Sequence, residues 1–268
     1  MHILDQIVAR KRAEVDEMLR QKAFAKLLEE LPGDLIQSAP PSFSRALQED
    51  GINIIAEIKY RSPSHGPFAI QWPPEEVAEA YRKGGAAALS VLTDESFFDG
   101  RPEYLQRLSA QQEHLPLLRK DFIVERYQIV QARIWGASAY LLIAACLTPS
   151  ELADLVSCSE EYGIDALVEV HDLRELEMAL EAGAKVIGVN NRDLKTFQVD
   201  LDTSFRVARE MEGEKGRLLV SESGIDEHLQ IAELRDAGFS AFLVGSSLMN
   251  SEDPAATLRS LRGEDSEC

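Results

Sequence analysis

Cysteine is scarce in this 268-residue chain, which holds only Cys146, Cys158 and Cys268. An odd, sparse set without a CxxC pair excludes a disulfide framework and reads as reduced thiols of a cytoplasmic protein. The histidines (His2, His65, His114, His171 and His228) are scattered, without an HExxH or any other ligand spacing, so no metal is expected. Positive charge is also short, with 28 Lys and Arg against 46 Asp and Glu and a formal net charge of −18. Neutralising a polyanion needs a basic face, so nucleic acid is disfavoured as a partner, and so is an anionic membrane surface. A small anionic ligand is not excluded, because a pocket's charge can oppose the global sign. No stretch approaches the ~20 apolar residues of a membrane span. The start, Met1 to Arg12, is a charged amphipathic pattern without the apolar core of a signal peptide.

What the chain does have is a repeated unit: an amphipathic helical stretch, a glycine, then a short apolar run. Gly84-Gly85 leads to Ala88–Leu92, Gly136 to Ala139–Ile143, Gly163 to Ala166–Val170, Gly183 to Val186–Val189, and Gly238 to Ala241–Val244. Glycine just past a helix end supplies the left-handed conformation that stops it. The runs are near-continuously apolar, as strands buried on both faces are. Three further runs, Asn53–Lys59, Leu115–Arg119 and Arg217–Ser221, complete a set of eight starting near residues 53, 86, 115, 138, 165, 184, 217 and 240. Each interval fits a strand, a helix and short loops, which is the arithmetic of an α/β (β/α)8 TIM barrel. A doubly wound open sheet would leave a unit unexplained, and no GxGxxG follows the first run.

The expected organisation is one barrel domain over residues 1–268. Residues 1–50 form an N-terminal helical extension, with Ile3, Leu4, Ile7, Val8, Val15, Met18 and Leu19 at helical spacing. That extension is either a plain cap over one barrel end or a lid over the mouth; periodicity favours the cap. The polar tail, 263–268, is expected to fray.

In such a barrel the chemistry sits at the C-terminal ends of the strands. Side chains two apart share a face, so Glu57 and Lys59 of the first strand point into the mouth while Ile54, Ala56 and Ile58 pack outward. By the same alternation Lys120 follows Leu118 inward and Arg119 points away. Glu169 lies on the face of Leu167, Asn190 and Arg192 lie on that of Gly188, and Glu222 ends the seventh strand. Any one of these could be half of a salt bridge plugging the barrel top. All seven at strand ends suit acid/base work, with carboxylates holding lysines charged. The mouth is expected to be locally positive. Ser221-Glu222-Ser223-Gly224-Ile225 and Val244-Gly245-Ser246-Ser247 end the strands that commonly build a barrel phosphate site, and Ser62-Pro63-Ser64 is their neighbour in a closed ring. Leu92, Phe98 and Phe122 flank the strand ends, either as loop packing or as a wall for a planar ring. His65 reads as a solvated loop residue, and nothing in the sequence pairs with His171. Another phosphate-binding barrel enzyme, an isomerase or a Schiff-base aldolase using Lys120, stays open here, as does a non-catalytic phosphate-binding barrel.

These residues also resemble a known family. Ile55-Ala56-Glu57-Ile58-Lys59 with Ser62-Pro63-Ser64 resembles the first-strand signature of indole-3-glycerol-phosphate synthases. Ser90–Asp94 with Phe97-Phe98, Leu115–Ile123, Gly188–Leu194, Ser221–Ile225 and Val244–Met249 are similar to its later blocks, in order along the whole chain. Tyr60 and Arg101 depart from its common residues. The resemblance implies a cofactor-independent carboxy-lyase of tryptophan biosynthesis that acts on a small-molecule phosphate ester, 1-(2-carboxyphenylamino)-1-deoxyribulose 5-phosphate. It implies Lys120 as general acid, Glu169 as base or proton shuttle, and Lys59 on the substrate carboxylate with a share of acid duty. Glu57 and Glu222 would orient lysines and hydroxyls, and Asn190 and Arg192 would bind hydroxyls and the anionic end. Ser62, Ser223, Gly224, Gly245 and Ser246 would cradle the phosphate. Leu92, Phe98 and Phe122 would hold the aromatic ring, with the extension closing over it. The oligomeric state is not readable from the sequence; a monomer is possible.

Overall fold

The computed structural model describes residues 3–35 and 37–264. His2, Cys268 and residues 265–268 of the polar tail lie outside that set. Gly263 and Glu264 finish the last helix with backbone bonds to Ser260 and Arg259.

Eight parallel strands close into a barrel: β1 (Asn53–Ile58), β2 (Ala88–Leu92), β3 (Leu117–Lys120), β4 (Ala139–Ile143), β5 (Asp165–Val170), β6 (Val186–Asn190), β7 (Leu218–Glu222) and β8 (Ala241–Val244). Each pairs with its sequence neighbour, and β1 closes the ring on β8 with Asn53 opposite Ala241. Three helices precede the barrel, one long and two short: α1 (Ile3–Gln21), α2 (Phe24–Leu28) and α3 (Phe43–Ala46). The connections carry α4 (Pro74–Lys83), α5 (Glu95–Phe98), α6 (Pro102–Ser109), α7 (Arg126–Ile134), α8 (Pro149–Tyr162), α9 (Leu173–Glu181), α10 (Asp202–Glu210), α11 (His228–Asp236), α12 (Ser246–Met249) and α13 (Pro254–Leu261). Local signals set their ends. In α8, for instance, Thr148 and Glu151 form a capping box and Gly163 stops the helix at φ 67°. A two-stranded hairpin, Arg61–Ser62 with Gly66–Pro67, follows β1 and was not anticipated.

Strand alternation sorts the apolar residues into two cores. Ile54, Ala56 and Ile58 join the outer core between strands and helices. Ile55, Leu118, Leu141, Leu167, Val220 and Leu243 fill the barrel itself. The inner core also contains Phe43 and Leu47, both fully buried, which belong to the extension. They plug the end where the strands start: Asn53 Nδ2 donates to Leu47 O (3.1 Å) and Ser240 O (3.3 Å), and Ser44 N–H donates to Asp165 Oδ2 (2.8 Å).

The extension is therefore more than the plain cap that periodicity favours. Its α3 end seals the barrel floor, while Ile3, Leu4 and Ile7 of α1 line the cavity at the opposite mouth. A 3.6-residue stripe reports that a helix has a buried face, not which end of a barrel it meets. Among the described residues no helix is long and apolar enough to cross a membrane.

Candidate active site

The cavity at the C-terminal ends of the strands encloses ≈ 420 Å³, in the range of small-molecule sites. At its base Lys120, ending β3, reaches across the barrel. Its Nζ donates to Glu169 Oε2 on β5 (3.0 Å) and to Glu222 Oε2 on β7 (3.1 Å). Asn190, ending β6, donates from Nδ2 to Glu169 Oε1 at 3.1 Å. Its Oδ1 accepts the backbone N–H of Arg192 at 3.0 Å. Lys59 pairs with Glu57 and lies 5.3 Å above the ring of Phe68. Two glycines make room for the carboxylates. A Cβ at Gly188 would collide with Glu222 Oε1, and one at Gly245 with Glu57 Oε2.

Burial and neighbours drive the two carboxylates beside Lys120 apart. Burial is the main cause that raises Glu222; Lys120 pulls it down, the charges of Glu169 and Glu57 push it up, and the balance is about 7. Glu169 is equally buried, but Lys120, His171 and Asn190 more than offset that and hold it well below the usual carboxylate range. Lys120 is fixed as an ammonium: burial opposes its charge, and Glu169, Glu222 and Glu57 overcome that. Two groups of one type whose titrations are driven apart by their surroundings mark a site of acid/base chemistry.

One rim is built for an anion. After β7, Ser223 (φ 68°) and Gly224 (φ 80°) are consecutive left-handed residues, a turn that exposes backbone N–H groups. After β8, Gly245 precedes the first turn of α12, whose leading N–H groups have no intrahelical acceptor. Ser246 and Ser247 line the cavity there, and the buried Ser247 Oγ has no partner. Ser62, across β1, shares a 3.4 Å hydroxyl contact with Ser64 and lines the same space.

The opposite wall is apolar: Leu92, Phe98 and Phe122, with the two rings 5.9 Å apart at 37°. Leu4 and Ile7 of α1 complete it. What holds α1 there is Lys11. Its Nζ, on a residue only 5% exposed, lies 2.9 Å from Asp94 Oδ2, 3.0 Å from Asp121 Oδ1 and 3.1 Å from Glu14 Oε2. Asp94 in turn caps α5 by accepting from Phe97 N–H (2.8 Å), and Asp121 takes Arg119 and Thr93 beneath the site.

Each side chain singled out from the sequence borders this one cavity, while Arg119 turns outward as strand alternation requires. The charge expectation needs correction. The lining holds the cations Lys59, Lys120 and Arg192 against five carboxylates, Glu57, Asp121, Glu169, Glu222 and Asp226, so the mouth is not positive. Lys59 and Lys120 are spent on carboxylates, whereas the Arg192 guanidinium donates to Phe197 O, so an anion can draw on Arg192 and on backbone dipoles. Two residues were missed. Lys11 stands in the buried stripe Ile7, Lys11, Val15, where a charge between apolar neighbours signals a buried pair. His171 does have partners: Glu169 two residues back on its strand face, and Glu175 four residues on.

The comparisons with known proteins meet the same residues. The family described as Indole-3-glycerol phosphate synthase matches residues 4–261. The Indole-3-glycerol phosphate synthase of Magnetococcus marinus is 44% identical, over 99% of this chain and 99% of the relative. Indole-3-glycerol phosphate synthase 2 of Streptomyces coelicolor is 46% identical, over 97% of this chain and 99% of the relative. That of Chlorobium phaeovibrioides is 46% identical over 97% and 98%. The match runs from α1 through every strand end that supplies the cavity, and this chain belongs to the indole-3-glycerol phosphate synthase family.

Proposed function

We propose that this cavity closes the pyrrole ring of 1-(2-carboxyphenylamino)-1-deoxyribulose 5-phosphate with Lys120 as acid and Glu169 as base. The family activity is that of a carboxy-lyase in tryptophan biosynthesis. The observation that carries the residue roles is the Lys120 ammonium clamped between Glu169 and Glu222. An ammonium has three N–H donors. Two go to these carboxylates, which leaves one for the substrate's C2 carbonyl oxygen as the aromatic carbon attacks it. The same clamp disfavours an imine-forming amine, which would have to shed its proton.

Bond formation at C2 is followed by loss of the carboxylate as CO2, which restores the aromatic ring. Departure of the C2 hydroxyl as water then needs a proton from an acid and removal of one by a base. Lys120, with Lys59, supplies the acid; Glu169, ionised and held by Asn190, is the base. Lys59 also meets the substrate carboxylate before it leaves. Glu57 and Glu222 orient the lysines and the substrate hydroxyls, and Arg192 helps bind the anionic end. Ser62, Ser223, Gly224, Gly245 and Ser246 cradle the phosphate, and Leu92, Phe98 and Phe122 hold the ring. The steps are redox-neutral overall and draw their protons from side chains, so the scheme calls on no cofactor. We assign the enzyme to the cytoplasm, with this small phosphate ester as partner, no role for nucleic acid or membrane, and residues 1–268 acting as one domain.

The test is indole fluorescence on mixing the chain with this phosphate ester; no turnover overturns the proposal. Two further outcomes are expected. Ser246→Asp sets a charge against the phosphate, where like-charge contact costs several kcal/mol, so KM rises by roughly 100-fold with kcat little changed. An unchanged KM would put the phosphate elsewhere. The second concerns Glu222. A carboxyl raised to about 7 is neutral below that pH and charged above it. The anionic substrate should therefore bind more weakly, with KM climbing, as pH passes upward through that value. In Glu222→Gln this rise should flatten.

A further inference from the structure

His171 follows β5, two residues beyond Glu169 on the same face, and the loop there turns directly into α9. Asp172 caps that helix by accepting Glu175 N–H at 2.8 Å. The capped turn brings the Glu175 side chain back over His171, where Oε2 accepts the backbone N–H (2.8 Å) and contacts ring Nδ1 (2.9 Å). The ring is thereby fixed with Nε2 aimed at the site. Nε2 is buried and has no hydrogen bond, and it lies 3.2 Å from Glu169 Oε1, at ion-pair distance. Only 13% of the side chain is exposed.

Two carboxylates beside the ring favour a cation there, and Lys120 and Arg12, further off, oppose it. Glu169 stands on its own strand and Glu175 on α9. Cys146, on the turn after β4, lies in the field of the same two glutamates and of Arg12 and Asp5 on α1. Lys120 lies beyond Glu169. Burial alone would discharge the ring, but Glu169 and Glu175 outweigh it and lift His171 to about 10.

We propose that His171 is a positioning residue for the reaction: clamped by Glu175, it holds the Glu169 carboxylate in place from the side opposite Lys120. Glu169 Oε2 is bound to Lys120, and Oε1 sits between Asn190 and His171. Lys120 gives up a proton during the reaction, and its hold on Glu169 weakens at that moment. His171 does not react, so it keeps Glu169 ionised until the step in which Glu169 takes a proton, and oriented throughout.

The inference rests on Glu169 as base, so the experiment includes Glu169→Gln. In His171→Gln, kcat is expected to fall about tenfold with KM within about twofold, and the acid limb of the kcat–pH profile to move upward by about one unit. The direction follows from the charge: without the cation the carboxylate is easier to protonate, so activity is lost at a higher pH. Glu175→Gln should move kcat and the limb the same way by less, with an unchanged melting temperature. Combined with His171→Gln, it should add nothing. A normal kcat and limb in His171→Gln beside an inactive Glu169→Gln overturns this inference alone; an active Glu169→Gln overturns the base assignment beneath it. If His171→Gln does not fold, an unmoved acid limb in Glu175→Gln overturns the inference.

Discussion

Replacing Lys120 by methionine is expected to lower kcat by roughly 10⁴-fold while the barrel stays folded. Methionine matches the unbranched stem but carries neither proton nor charge, so the carbonyl loses its acid and the developing oxyanion its nearest cation. The substitution also strips two buried carboxylates of the ammonium 3.0 and 3.1 Å away. Leaving both ionised would unfold many proteins, but these groups have another route. Glu222 is already raised to about 7, and without Lys120 the pair can share a proton. The variant should thus melt close to wild type in mild acid and progressively lower as pH rises, because the lone proton is then lost. Indole fluorescence reads the first part and thermal melts across pH the second. Turnover within tenfold of wild type would remove Lys120 from its assigned role.

Lys11→Met is expected to do the reverse, with a modest effect on the chemical step and a large one on stability. Lys11 is the cation shared by Asp94 (1% exposed) and Asp121 (3% exposed). Removing one partner of a buried pair costs about 3–5 kcal/mol, chiefly for the charge left behind. For a chain of this size that lowers Tm by roughly 10 °C. Asp121 keeps Arg119 and Thr93, so Asp94 bears most of the loss. Adding Asp94→Asn, which still accepts the α5 cap bond, should therefore recover part of the stability. KM should rise in the single variant, because α1 carries Ile3, Leu4 and Ile7 into the cavity wall. An unchanged Tm would mean that α1 is held by its apolar stripe and by pairs such as Arg12–Glu151 without need of Lys11.

These two residues mark what the sequence makes legible. Lys120 is readable because strand alternation from Leu118 and the barrel rule fix both its direction and its end. The strands are readable for the same local reason, a glycine stop followed by an apolar run. Their ends slip by a residue or two, as where Leu115–Arg119 proves to be Leu117–Lys120, because pairing with neighbours and not the run itself sets the limit. For Lys11 the stripe signals a buried charge, but its partners are not readable, since they lie 83 and 110 residues further along, at Asp94 and Asp121. His171 was within reach: both its partners are local, and reading strand spacing to Glu169 together with helix spacing to Glu175 would have found them. Glu57, Glu169 and Glu222 were already placed at the mouth beside the lysines; what the strand pattern did not show is that Asp121 and Asp226, just beyond β3 and β7, also line it.

The floor plug sets an order of assembly. Phe43 and Leu47 leave the ribosome before any strand, yet the chamber they fill has no wall until β8 pairs with β1. Asn53 waits likewise for Ser240 O. The segment synthesised first is thus among the last to find its place, and loop closure across nearly the whole chain precedes the reward. During that interval two large apolar side chains stand uncovered. A chain cut short before Ala241 would keep them in that state.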